Sequence, residues 1–402
     1  RADDLSVALQ RCYNQAAISP QGPTFLSIPM DILEEKSDCA YFKNTEILQK
    51  NHVDNLQPLI SIIEKTKKGK LVFIVDYESG MSHSEQTLNL LSEKLGADFY
   101  AAPFHVRRVV DPRHKNFKGH LSGMTGETHK ILSEYDTAIL LGEKVDTFFF
   151  TGKQAVPKEL TLVQISAAGN QVAFDYPCDL AILGDINTTL TKLLKALGVT
   201  DKAPSADYKK PTEDFDSLYG EQSDKDLSIK IAYQLLTSLD RNLAIVTEGS
   251  SEDAAIQTMA LQLSFEQVHF SPRGGGLGWA MPISAGLSLA TKRHTICFVG
   301  DGGSLFAIHS IWTAAKYKIP VIFICFINNQ YKILKNLWCM QKKTDIERTH
   351  FIGLDFNDPV VDLEKIASGF GAQTLKITAL NQAKNIILQA LKYQGPSFIM
   401  IE

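Results

Sequence analysis

Two short stretches of this 402-residue chain carry side chains that could hold a metal ion and a phosphate group together. The first is Gly300-Asp301-Gly302-Gly303-Ser304, which closes an apolar run from Thr295 to Val299. The second is Asn328-Asn329, which closes the run from Val321 to Ile327. Between them lie a helical pattern and a return strand, one right-handed crossover. Neighbouring parallel strands sit about 4.8 Å apart, so their carboxyl ends can present two oxygen ligands to one ion. A carboxylate and an amide oxygen suit a small hard cation such as Mg²⁺, which also accepts phosphate oxygens and water. Gly302 and Gly303 let backbone N–H groups approach an anion, and the helix that follows would direct its positive end at it. Taken singly, each stretch reads as a turn after a strand. Together, on successive strands, they read as a metal-bridged diphosphate site.

The elements that must position this site alternate between strand and helix from about Lys225 to Glu402. Leu243 to Val246, Thr295 to Val299, Val321 to Ile327 and Ser397 to Ile401 read as buried parallel strands. Helices are expected at Ile283 to Ala290, Leu305 to Tyr317 and Gln382 to Leu391. A second alternating unit occupies residues 37–200. Its strands are Leu71 to Val75, Asp98 to Ala101, Thr137 to Leu141 and Leu160 to Ile165, with helices at Ser84 to Leu95 and Ile186 to Leu197. Such alternation predicts an α/β fold of doubly wound parallel-sheet domains. Residues 201–224 are polar, contain Pro204 and Pro211, and read as a linker. At the start, Arg1 to Ile18 reads as an amphipathic helix and Thr24 to Ile28 as a short strand. One helix and one strand bury no core alone, so residues 1–36 are expected to be the tail of a domain that begins earlier.

Composition narrows the function classes. Hydrophobic residues make up 44% and charged residues 21%, an ordinary globular balance. A net charge of −4 with scattered Lys and Arg gives no footprint for nucleic acid. The apolar run Ile319 to Ile327 is about half of what a bilayer span needs, so no membrane partner is expected. The six cysteines lack metal-type spacing and read as reduced thiols of a cytoplasmic protein. No G-x-G-x-x-G follows a strand and no G-x-x-x-x-G-K-[ST] occurs, which argues against a nicotinamide or ATP enzyme.

The metal motif resembles the signature of thiamine-diphosphate enzymes. That resemblance implies thiamine diphosphate and Mg²⁺ as cofactors. It implies Asp301, the Asn328 side chain and the backbone oxygen of Gln330 as metal ligands, and Gly302, Gly303 and Ser304 as diphosphate contacts. Glu248-Gly249-Ser250-Ser251 is similar to a loop that bonds the diphosphate through its hydroxyls, here Ser250 and Ser251. Gly274 to Pro282 is similar to a loop that grips the aminopyrimidine, with Gly275 and Leu277 at its edge and the Leu277 side chain propping the cofactor in a bent shape. Tyr331 is a weaker match to a cofactor contact. Read without the metal motif, Gly274 to Gly276 is a flexible turn and Ser250-Ser251 a helix cap.

Over essentially the whole chain the layout is most similar to the benzoylformate-decarboxylase type. Gly22 to Pro29, Pro103 to Gly119, Trp312-Thr313-Ala314-Ala315 and Ile319-Pro320 match in order. The resemblance implies non-oxidative decarboxylation of a 2-oxo acid to an aldehyde, in a homodimer or homotetramer with the site at the subunit interface. Ile333, Leu334 and Leu337 then fall on the substrate pocket wall. The chain departs from the pattern in three places. The glutamate that serves the aminopyrimidine has no counterpart after Arg1, Phe148 to Thr151 replaces a pocket histidine, and Leu337 stands where an aromatic ring is expected. A carboligase of the acetolactate-synthase type and a non-catalytic cofactor-binding protein are the rival readings. His105, Arg107, Arg108, Arg113 and His114 form a basic stretch that reads as a solvated loop.

Overall fold

The structure is a computed structural model that describes residues 2–18, 21–37, 53–103, 107–145, 154–199, 227–239, 242–249, 256, 259, 269–270, 275–356 and 358–402. The chain divides into two compact units, Arg1–Tyr100 with Gly126–Val145 and Lys153–Pro204, and Ala101–Thr125 with Asp146–Gly152 and Ser205–Glu402. The expected linker and the Phe148 to Thr151 stretch lie outside the described residues. Among those described, no helix is long and apolar enough to cross a membrane.

The first sheet has six strands: β1 (Leu71–Val75), β2 (Asp98–Ala101), β3 (Phe117–His120), β4 (Thr137–Leu141), β5 (Thr161–Ser166) and β6 (Leu180–Leu183). Their order is β3-β2-β1-β4-β5-β6, with β1, β4, β5 and β6 paired parallel. All five residues of Leu-Val-Phe-Ile-Val in β1 are buried, as a parallel strand covered on both faces requires. The flanking helix Glu85–Leu95 ends on Gly96 in the left-handed region (φ +60°), a backbone conformation that glycine adopts without strain.

The second sheet comprises β7 (Ala244–Glu248), β8 (His269–Phe270), β9 (Thr295–Gly300), β10 (Val321–Phe326), β11 (Gln373–Ile377) and β12 (Ser397–Ile401). Its order is β11-β12-β10-β9-β7-β8, parallel throughout. Successive residues serve opposite faces. On β10, Ile322, Ile324 and Phe326 pack into one core with Ile296, Phe298 and Ile399, while Val321, Phe323 and Cys325 enter the other with Cys297, Val299 and Phe398. The two sheets bear out the doubly wound α/β expectation.

Two expected elements differ. Thr24 to Ile28 forms no strand; its contact to the preceding helix is the Thr24 hydroxyl donating to the Cys12 carbonyl at 3.0 Å, and Phe25 is 90% exposed. The crossover helix is broken into Asp301–Ser304 and Ser310–Lys316. Between them Phe306, Ala307 and Ser310 donate their N–H groups to carbonyls three residues back, the tighter 3₁₀ pattern. A four-residue first piece has little macrodipole, so anion affinity there rests on individual N–H groups.

At the carboxyl edge of the first sheet, Glu78 is 6% exposed and accepts hydrogen bonds from Ser166 Oγ and Ala167 N, both at 2.6 Å. Burial pushes its carboxyl up to about 7, against those two bonds, with Glu143 and Asp76 adding repulsion. The folded protein therefore keeps this proton above pH 4.5, where the unfolded chain releases it. Stability from this group is full below about 4.5 and falls by about 1.4 kcal/mol per pH unit until the folded carboxyl ionises near neutrality. Glu78→Gln should flatten the pH dependence of the urea midpoint between pH 5 and 7. An unchanged slope would show that Glu78 ionises normally.

Candidate functional site

β9 and β10 are adjacent, with Gly300 opposite Phe326, so the residues that follow them emerge side by side. Asp301 is 2% exposed, and its carboxylate joins the two strand ends. Oδ1 accepts the Gly302 N–H at 2.8 Å, and Oδ2 accepts those of Asn328 and Asn329 at 2.7 and 2.5 Å. Burial raises its pKa despite these donors. Among the described residues no cationic side chain pairs with it. A buried carboxylate of this kind is suited to pairing with a cation.

The neighbouring oxygens have the right chemistry. Asn328 Oδ1 accepts the Gln330 N–H at 3.1 Å, and Asn329 between them is in the left-handed region (φ +54°), which lets the chain reverse over one residue. No group of three His, Cys, Asp or Glu side chains among the described residues could hold a metal. A cation at Asp301 would therefore complete its shell with amide, carbonyl, phosphate or water oxygens, a set suited to Mg²⁺. The Ser304 hydroxyl turns inward, donating to the Asp301 carbonyl at 2.7 Å. Gly302 is fixed by Tyr331, since a Cβ there would lie 2.6 Å from the Tyr331 ring. That ring meets Phe356 edge to face, with centroids 5.2 Å apart.

A second carboxylate organises the adjoining loop. Glu248, 1% exposed at the end of β7, accepts the Gly278 N–H at 2.6 Å and the Ala280 N–H at 2.5 Å. It thereby ties β7 to the start of helix Ala280–Thr291. In the sequence Glu248 stands out only as the start of a loop, because its partners are backbone groups about thirty residues away. Gly249 follows at φ +49°, and a Cβ on it would lie 2.7 Å from Leu277 Cδ2. Leu277 itself is 40% exposed, and Gly275 takes φ +65° in the same loop. Ser250 and Ser251 lie outside the described residues. On helix Lys332–Lys342, Ile333 and Leu334 are exposed and Leu337 is half-buried, with Ile333 and Leu337 one turn apart on one face.

The basic stretch is not a solvated loop. Asp111, 3% exposed, accepts from Arg113 Nε at 2.9 Å and lies 3.4 Å from Arg108, and His114 is 1% exposed. Burial raises the Asp111 pKa, but the Arg113 bonds outweigh it and hold the carboxyl below its usual range. His105 lies outside the described residues.

Residues 249–401 match the family described as thiamine pyrophosphate enzyme, C-terminal TPP binding domain, and residues 56–193 match its central domain. The chain belongs to the thiamine pyrophosphate enzyme family. The family's C-terminal domain spans both Asp301 and Asn328, so the strand ends joined above belong to its cofactor-binding part. Among relatives of this thiamine pyrophosphate enzyme, the benzoylformate decarboxylase of Pseudomonas aeruginosa is 24% identical over all of this chain and 74% of its own length. The acetolactate synthase of Bacillus subtilis is 22% identical over 98% of this chain and 69% of its own. The crystal structure of benzoylformate decarboxylase from Polynucleobacter necessarius superposes with a TM-score of 0.81 at 24% identity, covering all of this chain and 74% of that one. That likeness establishes the fold.

Proposed function

We propose that this chain carries out non-oxidative decarboxylation of a 2-oxo acid, releasing an aldehyde and CO₂. The observation that carries the reading is the Asp301 carboxylate, buried without a cationic partner among the described residues and bonded to both Asn328 and Asn329. When bound, thiamine diphosphate supplies a nucleophilic carbon and an electron sink. Asp301, the Asn328 amide oxygen and the Gln330 carbonyl would hold the Mg²⁺ that anchors its diphosphate. Gly302, which makes room for the Tyr331 ring, and Gly303 would contact the diphosphate through their backbone N–H groups. Leu277, partly exposed and backed by Gly249, would support the bent cofactor. Ile333, Leu334 and Leu337 would offer an aliphatic wall to the substrate. Residues 37–200 serve as the middle domain and 225–402 as the diphosphate domain. A homodimer or homotetramer with the site at the interface, working in the cytoplasm, completes the reading.

The test is an assay with thiamine diphosphate, Mg²⁺ and a panel of aliphatic and aromatic 2-oxo acids, following CO₂ and aldehyde together. Equal yields of both support the decarboxylase. CO₂ accompanied by an acyloin-type acid instead of aldehyde would make it a carboligase, as the acetolactate synthase relative suggests. No turnover of any acid by a protein that binds the cofactor would overturn both.

A further inference from the structure

Lys335 is a buried cation that the reading above leaves without a task. It lies in the first turn of helix Lys332–Lys342 and is 6% exposed. Burying an ammonium costs several kcal/mol unless its donors are well paired. Here Nζ donates to Gln330 Oε1 at 2.9 Å and to Asp355 Oδ1 at 2.5 Å, and sits 5.4 Å from the Phe351 ring centroid. Both acceptors belong to one small construction. Gln330 and Asp355 form an isolated antiparallel bridge, in which Tyr331 N donates to Leu354 O at 2.9 Å and Phe356 N to Asn329 O at 3.1 Å. Gln330 in turn donates its N–H to Asn328 Oδ1. One ammonium thus reaches, through a single residue, the amide oxygen and the carbonyl assigned above to the metal. Asp355 is 39% exposed, so the pair is half open to water and worth little as a stability device.

We propose that Lys335 is a positioning residue for the metal site. It acts through the Gln330 side chain to hold the Asn328 amide oxygen and the Gln330 carbonyl in register, and through Asp355 to keep the 351–356 segment bridged to them. The inference rests on the metal site proposed above. A shell that holds ligands in place typically contributes about 10–100-fold in metal affinity.

Calorimetric titration of thiamine diphosphate at a series of Mg²⁺ concentrations tests it without relying on turnover. Lys335→Met should raise the Mg²⁺ needed for half-saturation about 10–100-fold, while cofactor affinity at saturating Mg²⁺ stays near wild type. Gln330→Ala keeps the backbone carbonyl and the Lys335–Asp355 pair, so it folds independently of any damage done by Lys335→Met. It should give a similar rise, and the double variant should be no worse than the larger single effect, because both remove one coupling. Lys335→Arg, which retains a buried donor, should recover part of the loss. Unchanged Mg²⁺ dependence in Gln330→Ala, or additive effects in the double variant, would overturn the proposal. A wild-type protein that binds no thiamine diphosphate at any Mg²⁺ concentration would instead overturn the metal site itself.

Discussion

Asp301→Ala is expected to abolish Mg²⁺-dependent binding of thiamine diphosphate while leaving the far-ultraviolet circular dichroism unchanged. Two losses coincide in this one side chain. The carboxylate is the only charged oxygen at the joined ends of β9 and β10 that the metal assignment uses, and its three N–H bonds set the path of the chain through Asn328 and Asn329. Hydrogen bonds to a charged group are worth about 1.5–3 kcal/mol each. Against that stands the raised pKa, the sign of a buried charge that the apoprotein tolerates poorly. The two terms oppose each other in stability and act together in metal binding. Asp301→Asn separates them, since it retains an acceptor for the loop but removes the charge. Its amide nitrogen must face either the Gly302 N–H or those of Asn328 and Asn329, so it should fold with reduced stability and still fail to bind at Mg²⁺ concentrations that saturate wild type. Wild-type affinity in either variant, measured by calorimetry, would remove Asp301 from the site.

The second large effect is expected at Glu248. Truncation to alanine leaves the Gly278 and Ala280 N–H groups without an acceptor at a buried helix start. Two charge-assisted bonds and the cavity together predict a loss of about 3–5 kcal/mol. Glu248→Gln should lose roughly half of that, since its amide nitrogen must face one of the two N–H donors. Urea denaturation gives the stability, and cofactor titration gives the consequence for the loop carrying Leu277. A change in stability under about 1 kcal/mol for Glu248→Ala would mean that water takes over both donors.

How far the fold could be read in advance follows from burial. The strands recognised in the sequence, among them Leu71–Val75, Thr137–Leu141, Thr295–Gly300 and Val321–Phe326, are buried along their whole length and so appear as unbroken apolar runs. The strands missed are Phe117–His120, Leu180–Leu183, His269–Phe270 and Gln373–Ile377, and each lies at an outer edge of its sheet. An edge strand is covered on fewer sides, so Lys118 and Gly119 or Gln373 and Lys376 are tolerated and the apolar signal disappears.

The site divides in the same way. That Asp301, Gly302 and Asn328 come together at two strand ends was legible from their types and spacing. Glu248, Lys335 and Asp355 were not, because their contacts are to backbone groups thirty residues away or to side chains that no local pattern pairs, Gln330 with Lys335 and Lys335 with Asp355. The broken crossover helix was missed for a related reason: Leu305 to Ile308 has an apolar helical pattern, while the chain there is bonded in tighter turns.

The central claim is that one divalent ion sits between the ends of β9 and β10. A crystal structure with thiamine diphosphate and Mn²⁺ in place of Mg²⁺, read by anomalous scattering, tests it most directly. A single peak is expected on Asp301, Asn328 Oδ1 and the Gln330 carbonyl, with metal–oxygen distances of about 2.0–2.2 Å. A peak on any other set of oxygens, with the Asp301 carboxylate still bonded only to backbone N–H groups, would contradict it.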